Sequence, residues 1–97
     1  MDPAKPDINI SDVVVSTAGR DQGNWFYVVR TDTDYLFLAN GKDRTLEKPK
    51  RKKRKHVQKV LRSETRVAGK IRQGDKVLNS ELRRDLAFHA SQMQAKT

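Results

Sequence analysis

Three short runs of β-branched and aromatic residues, each bounded by turn-forming residues, constrain this chain more than any other feature. They are Val13-Val14-Val15, Trp25-Phe26-Tyr27-Val28-Val29 and Tyr35-Leu36-Phe37-Leu38-Ala39. Such residues fit the pleated, half-buried surface of a sheet. Polar Gly19-Arg20-Asp21-Gln22-Gly23-Asn24 separates the first two, and Thr31-Asp32-Thr33-Asp34 separates the next two. Asn40-Gly41 after the third is a strong signal for a tight turn. Strands recurring every ~8–12 residues with turns between them point to a small barrel. His56-Val57-Gln58-Lys59-Val60-Leu61 offers a last strand to close the sheet. Pro49, which has no N–H to donate, argues against a central strand just before it.

From Ser63 the apolar spacing moves from two towards 3.6. Val67 and Ile71 lie four apart, Ser63 is a candidate N-cap with Glu64 in the first turn, and Gly74 would end that helix. A second helix is expected from Asn79 or Ser80, with Leu82, Leu86, Ala90 and Met93 on one face. Isolated helices of this length are marginal in water, so these two should pack on the barrel or on each other through Val67, Ile71, Leu82 and Leu86. The tail after Ala90 should fray. The expected layout is a flexible leader over 1–9, a mainly β barrel over 10–62 that includes a basic segment at 48–55, and a helical extension over 63–97. A chain of 97 residues with 35% hydrophobic content supports one thin core. A deep pocket for a small-molecule substrate is not expected.

Charge is distributed unevenly. Lys42 to Arg62 holds eleven basic and two acidic residues, a net +9 that equals the net charge of the whole chain. Within it, Lys50-Arg51-Lys52-Lys53-Arg54-Lys55 is an unbroken run of cations. Neighbouring like charges repel by roughly 1 kcal/mol per close pair in water, so such a run persists best opposite phosphates. Lys48 to His56 would also suit a solvated surface loop or a nuclear localisation signal. The balance favours a polyanionic partner, RNA above all, met by a basic loop.

Catalytic and metal chemistry find little support. There is no cysteine, His56 and His89 have no second ligand at metal spacing, and Asp32 and Asp34 lack the glycine and closing glutamate of a calcium loop. No phosphate-cradling glycine loop or nucleophile elbow occurs, and the serines have no evident base partner. No enzyme activity, cofactor or metal is therefore expected. No apolar run approaches the ~18 residues of a membrane helix, and the first residues lack a signal-peptide layout. A soluble, cytoplasmic protein without membrane contact is the expectation. Trp25 or Tyr27 could stack on an unpaired base, whereas Phe26 belongs in the core.

The stretch Asp12 to Gly23, followed by the Trp25 to Val29 strand, resembles the KOW motif of ribosomal and transcription-factor domains. Leu38-Ala39-Asn40-Gly41-Lys42, Leu46-Glu47-Lys48-Pro49-Lys50-Arg51-Lys52 and Lys55-His56-Val57 resemble large-subunit ribosomal proteins of the fourteen-e type and their small bacterial relatives. The likeness spans roughly residues 10–62 and implies an SH3-like barrel that binds ribosomal RNA. KOW loops often carry lysines where this chain has Gln22 and Asn24. The expected RNA contacts are Arg20, Lys42, Arg44, Lys48, Lys50, Arg51, Lys52, Lys53, Arg54, Lys55 and His56, with Gly19 and Gly23 shaping the loop. Ribosomal proteins are candidate neighbours, in translation or ribosome assembly. The alternative is a KOW-type protein-interaction adaptor in transcription elongation.

Overall fold

The computed structural model of the protein describes residues 7–95. Strands β1 (Asp12–Ser16), β2 (Trp25–Thr31), β3 (Tyr35–Ala39), β4 (Lys50–Lys53) and β5 (Val57–Arg62) form one antiparallel sheet, followed by helices α1 (Arg66–Gln73) and α2 (Asn79–Ala95). The sheet order is β4-β3-β2-β1-β5. The three apolar runs are β1 to β3, paired through registers such as Val14↔Phe26 and Tyr27↔Ala39.

Period-two alternation divides these strands between two apolar clusters. Val14, Phe26, Val28, Leu36 and Leu38 fill one face of the sheet together with Ile8. Val13, Tyr27 and Ala39 point the other way, where Ala68 of α1 and Leu82 and Leu86 of α2 cover them. Val67 and Ile71 pack at the margin of that second cluster, as the helical spacing predicts. Each fully buried Val, Leu or Phe side chain contributes about 1.5–3 kcal/mol, which is what holds helices too short to persist alone.

The two edge strands β4 and β5 are joined by only one 3-10 turn, Arg54–His56. In a flat sheet they would stand ~19 Å apart, four strand spacings, whereas a 3-10 turn advances only about 2 Å per residue. The sheet must therefore curl until its edges approach at that end. Among the described residues β4 and β5 do not pair, so the curled sheet stays open.

Several expectations are corrected. The basic segment is not a loop: Lys50–Lys53 is an edge strand paired to β3, and Arg54–His56 is the 3-10 turn. Pro49 stands just before it, where an edge strand tolerates proline. Of the stretch 1–9 read as a leader, Ile8 is only 7% exposed and belongs to the core. Residues 1–6 lie outside the described residues. Thr65, not Ser63, caps α1 by accepting from the Ala68 N–H, and Ser63 is buried instead. Gly74 ends α1 at φ +76°, as expected. On α2 the buried face runs Leu82, Leu86, His89, leaving Met93 exposed, because the His89 ring is held by polar partners beneath it. The segment after Ala90, expected to fray, is helical to Ala95, and residues 96–97 lie outside the described residues.

The turn after β3 is where α2 locks onto the sheet. Asn40 Oδ1 accepts from the N–H groups of Lys42 and Arg44, and Arg83 of α2 donates to the Gly41 carbonyl at 2.5 Å. Gly41 has φ +76°, and a Cβ there would collide with the Asn79 carbonyl. Gly41→Ala should therefore destabilise the fold by more than the ~1 kcal/mol of the backbone conformation alone. Thermal denaturation checks this; an unchanged midpoint would show that α2 does not press on this turn.

Candidate nucleic-acid interface

The loop between β1 and β2 is built around Asp21. Gly19 and Gly23 sit at φ +86° and +90°, and the Gly23 N–H donates to the Ser16 carbonyl at 2.8 Å, closing the loop on itself. This folding turns Asp21 inward, where Ser16 Oγ donates to Oδ1 at 2.7 Å. Two lysines of β4 converge on the same carboxylate. Lys52 Nζ lies 2.6 Å from Oδ1 and also donates to the Ala18 carbonyl at 2.6 Å. Oδ2 is closed off from solvent and makes no aligned hydrogen bond; it faces Lys50 Nζ at 2.8 Å, a Coulombic pair. Burial pushes the Asp21 carboxyl up, but its contacts with Lys50, Lys52 and Ser16, together with the Lys52 charge, hold it well below the usual carboxylate range.

Strand alternation sorts the basic run. Lys50 and Lys52 oppose Leu38 and Leu36 and share their inward parity, so their stems run along the core before the ammonium groups reach Asp21. Lys52 is only 7% exposed, which corrects its assignment as an RNA contact. Arg54 is also committed, with Nε donating to the Asp32 carbonyl at 3.1 Å and Nη1 to the Ile8 carbonyl at 3.4 Å. His56 is half-buried, and its carbonyl accepts from the Thr17 N–H. Arg51, Lys53 and Lys55 face solvent, as do Arg20, Lys42, Arg44 and Lys48. Arg20, Arg44 and Lys50 line one shallow groove with Asn24 and Asp43, and Lys42 and Trp25 line its neighbour.

The outward side of β3 and β4 carries residues that the sequence pattern alone does not single out. Tyr35 and Phe37 alternate with buried Leu36 and Leu38, so both rings lie on the face opposite Ile8 and Phe26. Arg51 stacks on Tyr35 with its guanidinium carbon 3.7 Å from the ring centroid, and Arg30 stacks on Phe37 at 4.0 Å. The signal for the rings is present in the Tyr-Leu-Phe-Leu alternation. Arg30 is less accessible to such reasoning, because a register shift between Val28 and Arg30 sets it opposite Phe37. Tyr27, a candidate for base stacking, is fully buried and so unavailable; Trp25 is partly buried against the helix-side cluster and borders a groove.

A second polar cluster lies beneath the helices. Tyr27 donates its hydroxyl proton to Asp85, Thr65 Oγ1 donates to the same carboxylate at 2.8 Å, and Ser63 Oγ bonds Tyr27 at 2.8 Å and His89 Nε2 at 2.9 Å. Ser63 thus has a histidine neighbour that sequence spacing does not reveal. Asp85 approaches that same Nε2 at 3.6 Å, whereas a nucleophilic triad holds serine and carboxylate on opposite ring nitrogens. Ser63 is also fully buried, so the cluster ties β2 to α2 rather than meeting substrate. Burial and the Asp85 contact push the Tyr27 phenol well above its ordinary value. Its contribution to stability is complete below about pH 10 and is lost as pH rises towards the folded-state value. No group of side chains suited to hold a metal ion occurs among the described residues. Nor, among them, is any helix long and apolar enough to cross a membrane.

Compared with known proteins, the chain matches no family and no curated sequence.

The sorting of lysines is testable. Lys52→Ala should cost about 2 kcal/mol because a buried carboxylate loses a partner, whereas Lys53→Ala should stay within ~0.5 kcal/mol. Asp21 titrates low in the folded state, so its contribution is present above the unfolded value near 4 and fades as pH falls below it. The stability gap between wild type and Asp21→Asn should therefore narrow on acidification. Equal melting points for Lys52→Ala and Lys53→Ala would refute the division.

Proposed function

We propose that this chain is a non-enzymatic RNA-binding protein of the KOW type, an SH3-like barrel with a helical extension. It binds ribosomal RNA and works beside ribosomal proteins in the cytoplasm, in translation or ribosome assembly. The curled five-stranded sheet and the positive-φ glycines of the Gly19–Gly23 loop support the barrel reading. One observation carries the binding: Arg20, Lys42, Arg44, Lys48, Arg51, Lys53 and Lys55 are exposed, and none is within ion-pair distance of a described carboxylate. Lys50, Lys52, Lys59, Arg62, Lys70 and Arg72 pair with acids of the fold, whereas these seven, in the β1–β2 and β3–β4 loops, on β4 and in the 3-10 turn, do not.

Phosphate contacts position a nucleic acid without reading its sequence, so affinity should depend on salt and only weakly on base order. If about five of the seven meet phosphates, counterion release gives a log–log salt slope near −3.5 to −4.5.

Replacing Arg51, Lys53 and Lys55 with alanine spares Lys52 and Arg54 and should leave the circular-dichroism spectrum unchanged. Binding to many RNA sequences should weaken alike, the slope should fall by about 2 to 3 units, and co-sedimentation with ribosomal subunits should be lost. Original affinity and slope in the folded variant would mean that these cations serve only solubility or targeting.

A further inference from the structure

The outward face of β3 and β4 carries more than loose charge. Two guanidinium groups sit over two aromatic rings, Arg51 over Tyr35 at 3.7 Å and Arg30 over Phe37 at 4.0 Å from the ring centroid. Phe37 stands between them, paired across the sheet to Arg30 on β2 and to Arg51 on β4. Tyr35 is paired to Lys53, whose ammonium has no acid partner among the described residues. The helices cover this side of the sheet around Val13, Tyr27 and Ala39, with Trp25, Val29, Val60 and Leu61 at the margin, and leave Arg30, Arg51 and Lys53 exposed.

A guanidinium carbon 3.7–4.0 Å from a ring centroid is in van der Waals contact with that ring, so one side of each group is covered by it, and both arginines are otherwise exposed to solvent. Their N–H edges keep their donors, since no hydrogen bond or ion pair engages either guanidinium among the described residues. The acids nearest Arg30 in sequence, Asp32 and Asp34, lie in the turn before β3, where Asp32 Oδ1 accepts from the Thr33 N–H, and the one nearest Arg51, Glu47, accepts from Asn79 Nδ2. An unpaired base stacks readily on an arginine plane, whereas the edge of a base pair in a duplex offers no free face. Side chains held in place by the rings beneath them lose little freedom on binding.

We infer that this face is a stacking site for unpaired bases, so that the protein takes single-stranded RNA here, with Lys53 and Lys55 on the adjoining phosphates. The inference rests on the RNA-binding proposal above and adds to it the form of RNA and a second set of contacts. Arg30, Tyr35 and Phe37 become binding residues beside the exposed cations.

The test compares wild type with Arg30→Lys/Arg51→Lys, which keeps every charge and removes both planes, and with Tyr35→Leu/Phe37→Leu, which removes the rings. The probes are a single-stranded oligoadenylate carrying 2-aminopurine and a duplex RNA of equal length. Wild type should quench the 2-aminopurine fluorescence. The lysine variant should lose about 5- to 30-fold in single-strand affinity, with its salt slope and duplex affinity unchanged. Undiminished single-strand affinity and quenching in both variants would overturn the stacking site while leaving phosphate binding standing. A variant that turned a dimer into a monomer with RNA affinity intact would overturn it too, assigning the face to a second copy of the chain. Failure of wild type to bind either RNA would remove the functional proposal itself.

Discussion

Asp21 sits between two ammonium groups, Lys50 Nζ at 2.8 Å and Lys52 Nζ at 2.6 Å, and this contact is what allows a cationic run to become a strand. Six adjacent cations cannot pair with a sheet edge unless some of their repulsion is relieved. Alternation sends every second one inward, and one carboxylate receives both that arrive. The same contact anchors the Gly19–Gly23 loop to the sheet edge, because Lys52 also holds the Ala18 carbonyl. Loop, edge strand and 3-10 turn thus form one connected unit at the end where the sheet curls.

Much of this architecture is legible in the sequence, and what is not shares a physical origin. The runs Val13–Val15, Trp25–Val29 and Tyr35–Ala39 are strands because their composition leaves little else, and Gly74 ends α1 because only a residue tolerant of positive φ fits there. The run Lys50–Lys53 looks like a loop in sequence because nothing local to it favours a strand. Its strand is imposed by β3 beside it and Asp21 below it, both distant in sequence. Thr65 displaces Ser63 as the cap for a similar reason, since Ser63 is engaged by Tyr27, 36 residues away. Local propensity is informative where local terms decide, and tertiary contacts override it at both places.

A lysine-rich edge strand can also be purely protective, because charge on an edge discourages pairing with another chain. That accounts for cations on β4 in general. It does not account for Arg20, Lys42, Arg44 and Lys48, which lie in loops, nor for two arginines laid on aromatic rings. Protection needs only charge pointing outward, and any mixture of lysine and arginine would supply it.

The distribution of the two cation types along the strands is more selective. Lysine occupies the inward positions 50 and 52, where a flexible apolar stem must cross the core edge before a compact charge meets Asp21. Arginine occupies 30 and 51, where a planar group lies on a ring and keeps its donors outward. Exchanging them would fail on both sides, since a guanidinium at position 52 would crowd the carboxylate beneath Gly19 and an ammonium at 51 has no plane to offer. Within one short strand the fold therefore separates Lys50 and Lys52, which meet Asp21, from Arg51 and Lys53, which stay exposed.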